Sequence, residues 1–205
     1  MNKALIILLV AGVLAAYFLL KQPQQTVQQA SEETEQTANQ DQVDVLSENC
    51  PENFTVRQTE GPYYKANSPQ RNSLIENGVQ GDKVILSGYV FDQNCKPIPN
   101  LWLDFWQADV NGNYDNEGFK LRGHQFTDSN GKYTLATVIP GEYPGRTPHI
   151  HVKLRANENS EIITSQLYFP DSSRNTTDTI FDSDLLVDLS SDRQTANYNF
   201  KIDVE

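Results

Sequence analysis

Between Gly81 and Pro170 the apolar residues recur at strand spacing, and no stretch of ten or more carries a helical period. Residues 84–91, V-I-L-S-G-Y-V-F, are rich in β-formers and run into D-Q-N-C-K-P-I-P, a turn signal containing proline. In residues 101–106, L-W-L-D-F-W, Leu101, Leu103 and Phe105 alternate with Trp102, Asp104 and Trp106, so both faces of that strand expect cover. D-V-N-G-N and D-S-N-G-K are Asn-Gly turns. Strands follow at 132–138, 149–154 and 162–169; residues 185–200 read as mixed, with a last strand near 198–202. Short strands with regular turn signals predict an all-β domain, a sandwich or a barrel.

The ends differ from this body. Residues 4–20 form an unbroken uncharged, mostly apolar run between Lys3 and Lys21, at the short edge of a membrane-spanning helix (about 20 residues) and longer than a usual signal core. With no clear cleavage site and no following cysteine, residues 1–21 read as an uncleaved signal anchor or a cleaved signal peptide. Membrane anchoring through residues 4–20 and an extracytoplasmic domain are the corresponding expectations. Residues 22–47 are rich in Gln, Glu, Thr and Asn and bury too little to offset chain entropy, so a disordered tether is expected there. Residues 48–205 are then one domain.

The 205-residue chain carries 16 Lys and Arg against 27 Asp and Glu, a net charge of −11, with no basic stripe; this argues against a nucleic-acid partner. The two cysteines, Cys50 and Cys95, suit an exported domain with one disulfide, or are two separate thiols. Asn53-Phe-Thr and Asn175-Thr-Thr match the glycosylation acceptor pattern, a weak motif.

Two of the three histidines, His149 and His151, stand at i and i+2 of one predicted strand, and so project from the same face while Ile150 faces the other way. A lone strand histidine is usually an ordinary hydrogen-bonded residue; a pair at this spacing points equally to metal ligation, and neutral imidazoles suit Zn, Cu, Fe and Ni. The third, His124, lies in R-G-H-Q, and Asp and Glu follow no ligand pattern. Tyr114 and Tyr143 stand at turns, where aromatic packing is the ordinary role; a phenolate is also a hard ligand that would favour Fe(III).

Five motifs occur in order: T-E-G-P-Y-Y (59–64), L-D-F-W-Q-A-D-V-N-G-N-Y (103–114), L-R-G-H-Q-F-T-D-S-N-G-K-Y (121–133), I-P-G-E-Y-P-G-R-T-P-H-I-H-V-K (139–153) and T-S-Q-L-Y-F (164–169). Together they resemble the intradiol ring-cleavage dioxygenases, the non-haem Fe(III) family of the catechol 1,2- and protocatechuate 3,4-dioxygenases. The resemblance implies an immunoglobulin/prealbumin-like β-sandwich core with short peripheral segments. It further implies Tyr114 as the phenolate that stays on iron, Tyr143 as the one displaced by substrate, and His149 and His151 as the imidazole pair. It implies Arg146 as the cation lining the substrate pocket and Gln166 as a polar group beside it. The activity implied is cleavage of a catechol-type diol between its hydroxylated carbons by O2, giving a cis,cis-muconate-type diacid. No dinucleotide glycine pattern is present.

The chain departs from the best-known members in the short span from Tyr143 to His149 and in lacking a helical dimerisation region, which leaves the substrate and the oligomeric state open. Two other readings remain beside this one. The first is a secreted or tethered transthyretin-like module that binds catecholic ligands without turnover. The second is a zinc hydrolase built on the two histidines, for which no general base stands at motif spacing.

Overall fold

The structure is a computed structural model that describes residues 48–156, 160 and 162–204. The expected anchor or signal (1–21) and tether (22–47) lie outside the described residues. Among the described residues no helix is long and apolar enough to cross a membrane.

Nine strands among the described residues make two sheets: β1 (Lys83–Phe91), β2 (Trp102–Gln107), β3 (Arg122–Phe126), β4 (Lys132–Val138), β5 (His149–Arg155), β6 (Ile163–Tyr168), β7 (Asp188–Leu189), β8 (Thr195–Asn197) and β9 (Phe200–Lys201). The first sheet runs β4-β1-β8-β7, with β9 also paired to β1; the second runs β3-β2-β5-β6. All pairings are antiparallel except those of β1 with β8 and β9. The inner faces meet in one core that includes Val84, Leu86 and Leu135 from one sheet and Leu103, Phe105, Ile150, Val152 and Leu154 from the other. Burying each such side chain contributes roughly 1.5–3 kcal/mol. This is the expected all-β sandwich.

Three tight turns share one build. Asp92, Asp109 and Asp128 each use Oδ1 to accept the backbone N–H groups two and four residues on. The residue three on has positive φ: Cys95 (61°), Gly112 (78°) and Gly131 (74°). Cys95 thus holds the position that glycine holds in the other two, and it is joined to Cys50 by a disulfide with Cα atoms 5.6 Å apart.

Two expectations need correction. β3 was absent from the hydrophobic pattern because R-G-H-Q-F has no alternation. It forms because Gly123 admits a close approach by Arg71, whose Nε donates to the Arg122 carbonyl at 2.9 Å. The expected last strand is reduced to β9, and the 185–200 stretch contributes β7 and β8 as short edge pieces.

The outer face of the second sheet positions everything that follows. Its register lays Arg122, Trp106, His151 and Gln166 in one row across the four strands, with His124, Asp104, Lys153 and Thr164 in the next. The segment through Pro69 and Arg71 runs along this sheet's β3 edge, exchanging backbone bonds with His124.

Candidate metal centre

His149 and His151 leave β5 on the outer face and meet there, with Nε2 atoms 3.0 Å apart and both rings buried. The Thr147 carbonyl can only accept, so the proton of His149 sits on Nδ1, 2.6 Å from that oxygen, and its Nε2 presents a lone pair. Trp106, opposite His151 in the register, stacks on it at 4.6 Å and 8°. Burial pulls the His149 pKa from 6.5 down to about 4, with the Arg146 charge acting the same way. Burial first, and then its charged neighbours, push His151 well below its usual value. Both rings are therefore neutral near pH 7, as ligation requires.

The two tyrosines reach the same place from loops that touch backbone to backbone. Tyr114 follows the Asp109 turn and Tyr143 the turn after β4; Gly141 N–H donates to the Asp109 carbonyl at 2.9 Å. A Cβ on Gly112 would stand 2.2 Å from the Glu142 carbonyl oxygen, and one on Gly141 2.2 Å from that of Val110. Only glycines let these loops close. The Tyr114 and Tyr143 rings then lie 5.7 Å apart, and the Tyr143 hydroxyl is 3.5 Å from His149 Nε2.

The Tyr114 hydroxyl is buried and makes no well-formed hydrogen bond among the described residues; the Tyr143 hydroxyl is near enough to act on it by charge and by a weak hydrogen bond. Burial, followed by Tyr143, raises its pKa far above the usual phenol value. Burial also raises that of Tyr143, against the lowering effect of Arg146. Left alone, these phenols stay protonated; ionising them needs a compensating cation. Among the described residues no three His, Cys, Asp or Glu side chains form a metal cluster; the donors gathered here are phenol oxygens and imidazoles. Two neutral imidazoles and two phenols, one of them without a well-formed hydrogen bond, fit a hard trivalent ion such as Fe(III).

Arg146 and Gln166 flank this group. Arg146 donates from Nη1 to the Tyr143 hydroxyl (3.3 Å) and from Nη2 to Gln166 Oε1 (2.5 Å) and Tyr168 Oη (3.4 Å). Gln166 Nε2 donates to the Thr59 carbonyl at 2.9 Å. All six residues singled out in the sequence, Tyr114, Tyr143, Arg146, His149, His151 and Gln166, are thus brought together. His124 is not among them: its Nδ1 lies 2.7 Å from the Ser68 carbonyl, in the next row of the sheet.

Three neighbours escaped the sequence reading as individual residues. Tyr63 stacks on Tyr114 at 4.4 Å and meets Tyr143 edge-on; it belongs to the quoted T-E-G-P-Y-Y motif. Tyr168 follows Gln166 by two on β6 and so shares its face, a signal that strand periodicity offered. Asp178 lies on a loop, where no periodicity points to it. The acceptor motif at Asn175 is used internally: its amide donates to the Phe169 carbonyl and accepts from the Thr147 hydroxyl.

A family profile described as Dioxygenase matches residues 59–204. The chain is 29% identical over 142 residues to a catechol 1,2-dioxygenase of Acinetobacter baylyi, covering 55% of this chain and 46% of that protein. It is 30% identical over 139 residues to the protocatechuate 3,4-dioxygenase β chain of Burkholderia cepacia, covering 56% and 59%. The chain thus spans about half the length of these relatives. Among solved structures it is similar to the dioxygenase domain of a dioxygenase–carbohydrate-binding protein fusion from Streptomyces sp. SirexAA-E, at 48% identity and a TM-score of 0.71 over 75% of this chain and all (100%) of that one. An intradiol ring-cleavage dioxygenase from Tetranychus urticae matches at 26% identity and a TM-score of 0.66, over 74% and 95%.

Proposed function

The chain belongs to the intradiol ring-cleavage dioxygenases, and we propose that it uses a non-haem Fe(III) to open the ring of a catechol-type diol between its hydroxylated carbons. The observation that carries this reading is the convergence of Tyr114, Tyr143, His149 and His151, with the Tyr114 hydroxyl buried and without a well-formed hydrogen bond. These four residues would hold the ion. An Fe(III) held there would supply a Lewis-acidic centre that a diol could chelate through both oxygens, activating the ring towards O2. Both oxygen atoms of O2 enter the diacid, so no external reductant is needed.

The protein's own groups have separate tasks. Tyr143, next to the exposed Pro144 and Gly145, would be the ligand phenol on the side open to the diol, where its Oη could accept a diol proton. Arg146 Nη1 stabilises negative charge at that oxygen. Gln166 holds Arg146 in the plane that faces the ring, and Tyr63 and Trp106 wall the site with apolar surface. Tyr114, half-buried and stacked on Tyr63, would be the second phenol holding the ion. The Cys50–Cys95 disulfide supports an extracytoplasmic site of action, because such bonds persist in oxidising compartments.

The test is turnover under 18O2. Iron-loaded protein is given catechol, protocatechuate and hydroxyquinol in turn while O2 is followed. The expected result is one O2 consumed per diol and a ring-opened diacid carrying label in both new carboxyl groups. Tight binding of every diol with no O2 uptake overturns the proposal and leaves a binding module.

A further inference from the structure

Arg146 is held from behind by a loop outside the metal cluster. After β6 the chain makes a short 3₁₀ turn, Ser173–Thr176, and Asp178 follows it. The Asp178 side chain is 1% exposed. Its Oδ2 accepts from Arg146 Nε at 2.9 Å and from the Thr147 backbone N–H at 3.0 Å. Its Oδ1 accepts from the Ile180 backbone N–H at 3.1 Å. Every bond this carboxylate makes is therefore spent on fixing one side chain and two backbone segments.

The consequences run in two directions. A guanidinium is planar, so gripping it at Nε fixes where Nη1 and Nη2 point, and both point at the cluster: Nη1 to Tyr143 and Nη2 to Gln166 and Tyr168. Thr147 is fully buried and is clamped twice from this loop, through its N–H by Asp178 and through its hydroxyl by Asn175 Oδ1 at 2.5 Å. The carbonyl of that same residue fixes the His149 ring through Nδ1. The loop is itself tied to the site, since the Ile180 carbonyl accepts from Tyr168 Oη at 3.1 Å and from Gln58 Nε2 at 3.0 Å. A buried carboxylate is costly unless it is fully paired, and here the pairing converges on the residues that face substrate.

We infer that Asp178 is a positioning residue of this enzyme: it aims the Arg146 guanidinium at the reacting diol. This rests on the proposed function for its catalytic consequence but not for its geometry. Asp178→Asn keeps size and loses charge. Whichever way the amide turns, one of its N–H groups faces a donor, either Ile180 N–H or the Arg146 and Thr147 pair.

The test has three readings on one set of proteins: wild type, Asp178→Asn, Asp178→Ala, Arg146→Gln and the double variant Arg146→Gln/Asp178→Asn. In iron-loaded protein, Asp178→Asn is expected to lower kcat by about 10- to 100-fold, the range for a lost charge-assisted bond, with iron content per chain unchanged. In the Arg146→Gln background the same change is expected to lower kcat by less than about 3-fold, because the group it positions is gone. The third reading needs neither iron nor turnover. The Arg146 Nε–H proton should exchange slowly in wild type, and at least about 10-fold faster in both Asp178 variants. An equal kcat loss in both backgrounds, or unaltered exchange in folded Asp178→Asn, overturns the inference. Wild-type protein that turns over no diol overturns the function proposed above, while the exchange measurement still decides the geometry.

Discussion

Removing the Tyr114 hydroxyl should stabilise the metal-free protein while it abolishes ion binding. A buried hydroxyl without a partner costs about 1–3 kcal/mol relative to one that is satisfied. That oxygen makes no well-formed hydrogen bond among the described residues, only a weak one to Tyr143, whereas the ring keeps its stack on Tyr63 at 4.4 Å. Tyr114→Phe deletes the desolvated oxygen and leaves a small void, so a net gain of about 1 kcal/mol is expected in iron-free protein. Tyr133 supplies the opposite case. It is 1% exposed, and its hydroxyl donates to the Tyr198 carbonyl at 2.8 Å, so Tyr133→Phe should cost about 1–2 kcal/mol by stranding that acceptor. Urea unfolding of the three chelator-treated proteins gives both values, and iron titration gives the binding loss. If Tyr114→Phe destabilises as Tyr133→Phe does, or still binds iron as tightly as wild type, the buried hydroxyl does not carry the cost assigned to it.

Gly112→Ala should cost about 2–4 kcal/mol and reduce iron content, since it adds left-handed strain at φ 78° to a 2.2 Å approach on the Glu142 carbonyl. Gly78→Ala, at φ 86° with nothing within 4 Å, should cost only about 1 kcal/mol and spare the site; equal costs in urea would refute the loop-contact argument. Opening the Cys50–Cys95 link, which spans 45 residues, should cost up to about 4 kcal/mol. Because Cys95 sits at φ 61°, Cys95→Gly should be about 1 kcal/mol more stable than Cys95→Ala, and the reverse order would refute that reading. The pKa of His149 is depressed on folding, from 6.5 to about 4, so the metal-free fold has its full stability above pH 6.5. It should then lose up to about 3 kcal/mol as pH falls from 6.5 towards 4, with His149→Gln flattening that slope in urea titrations.

The parts of this protein that are legible in its sequence are those with a local signature. Strand alternation marks β1, β2 and β4 to β6, and the i, i+2 rule is enough to put His149 and His151 on one face of β5. β3 escapes that pattern because Arg122, Gly123 and His124 owe their strand to neighbours, Arg71 and β2, rather than to their own alternation. Spacing alone leaves Tyr114 and Tyr143 as turn aromatics. Their meeting depends on Gly112 and Gly141 closing two loops separated by β3 and β4, one strand from each sheet, which no periodicity encodes. The family motifs supply that link. Asp178 is out of reach for the same reason: it acts at a distance of 32 residues from Arg146, through a loop with no repeating pattern.

Two phenolates and two imidazoles of this chain should share one ferric ion, and visible absorption during iron loading tests that claim most directly. Protein loaded with Fe(III) should take up about one ion per chain and turn burgundy through phenolate-to-iron charge transfer. The band should weaken in Tyr143→Phe and be lost in Tyr114→Phe. A protein that stays colourless with iron bound, or that prefers Zn(II) and loses no affinity when either tyrosine becomes phenylalanine, contradicts the claim.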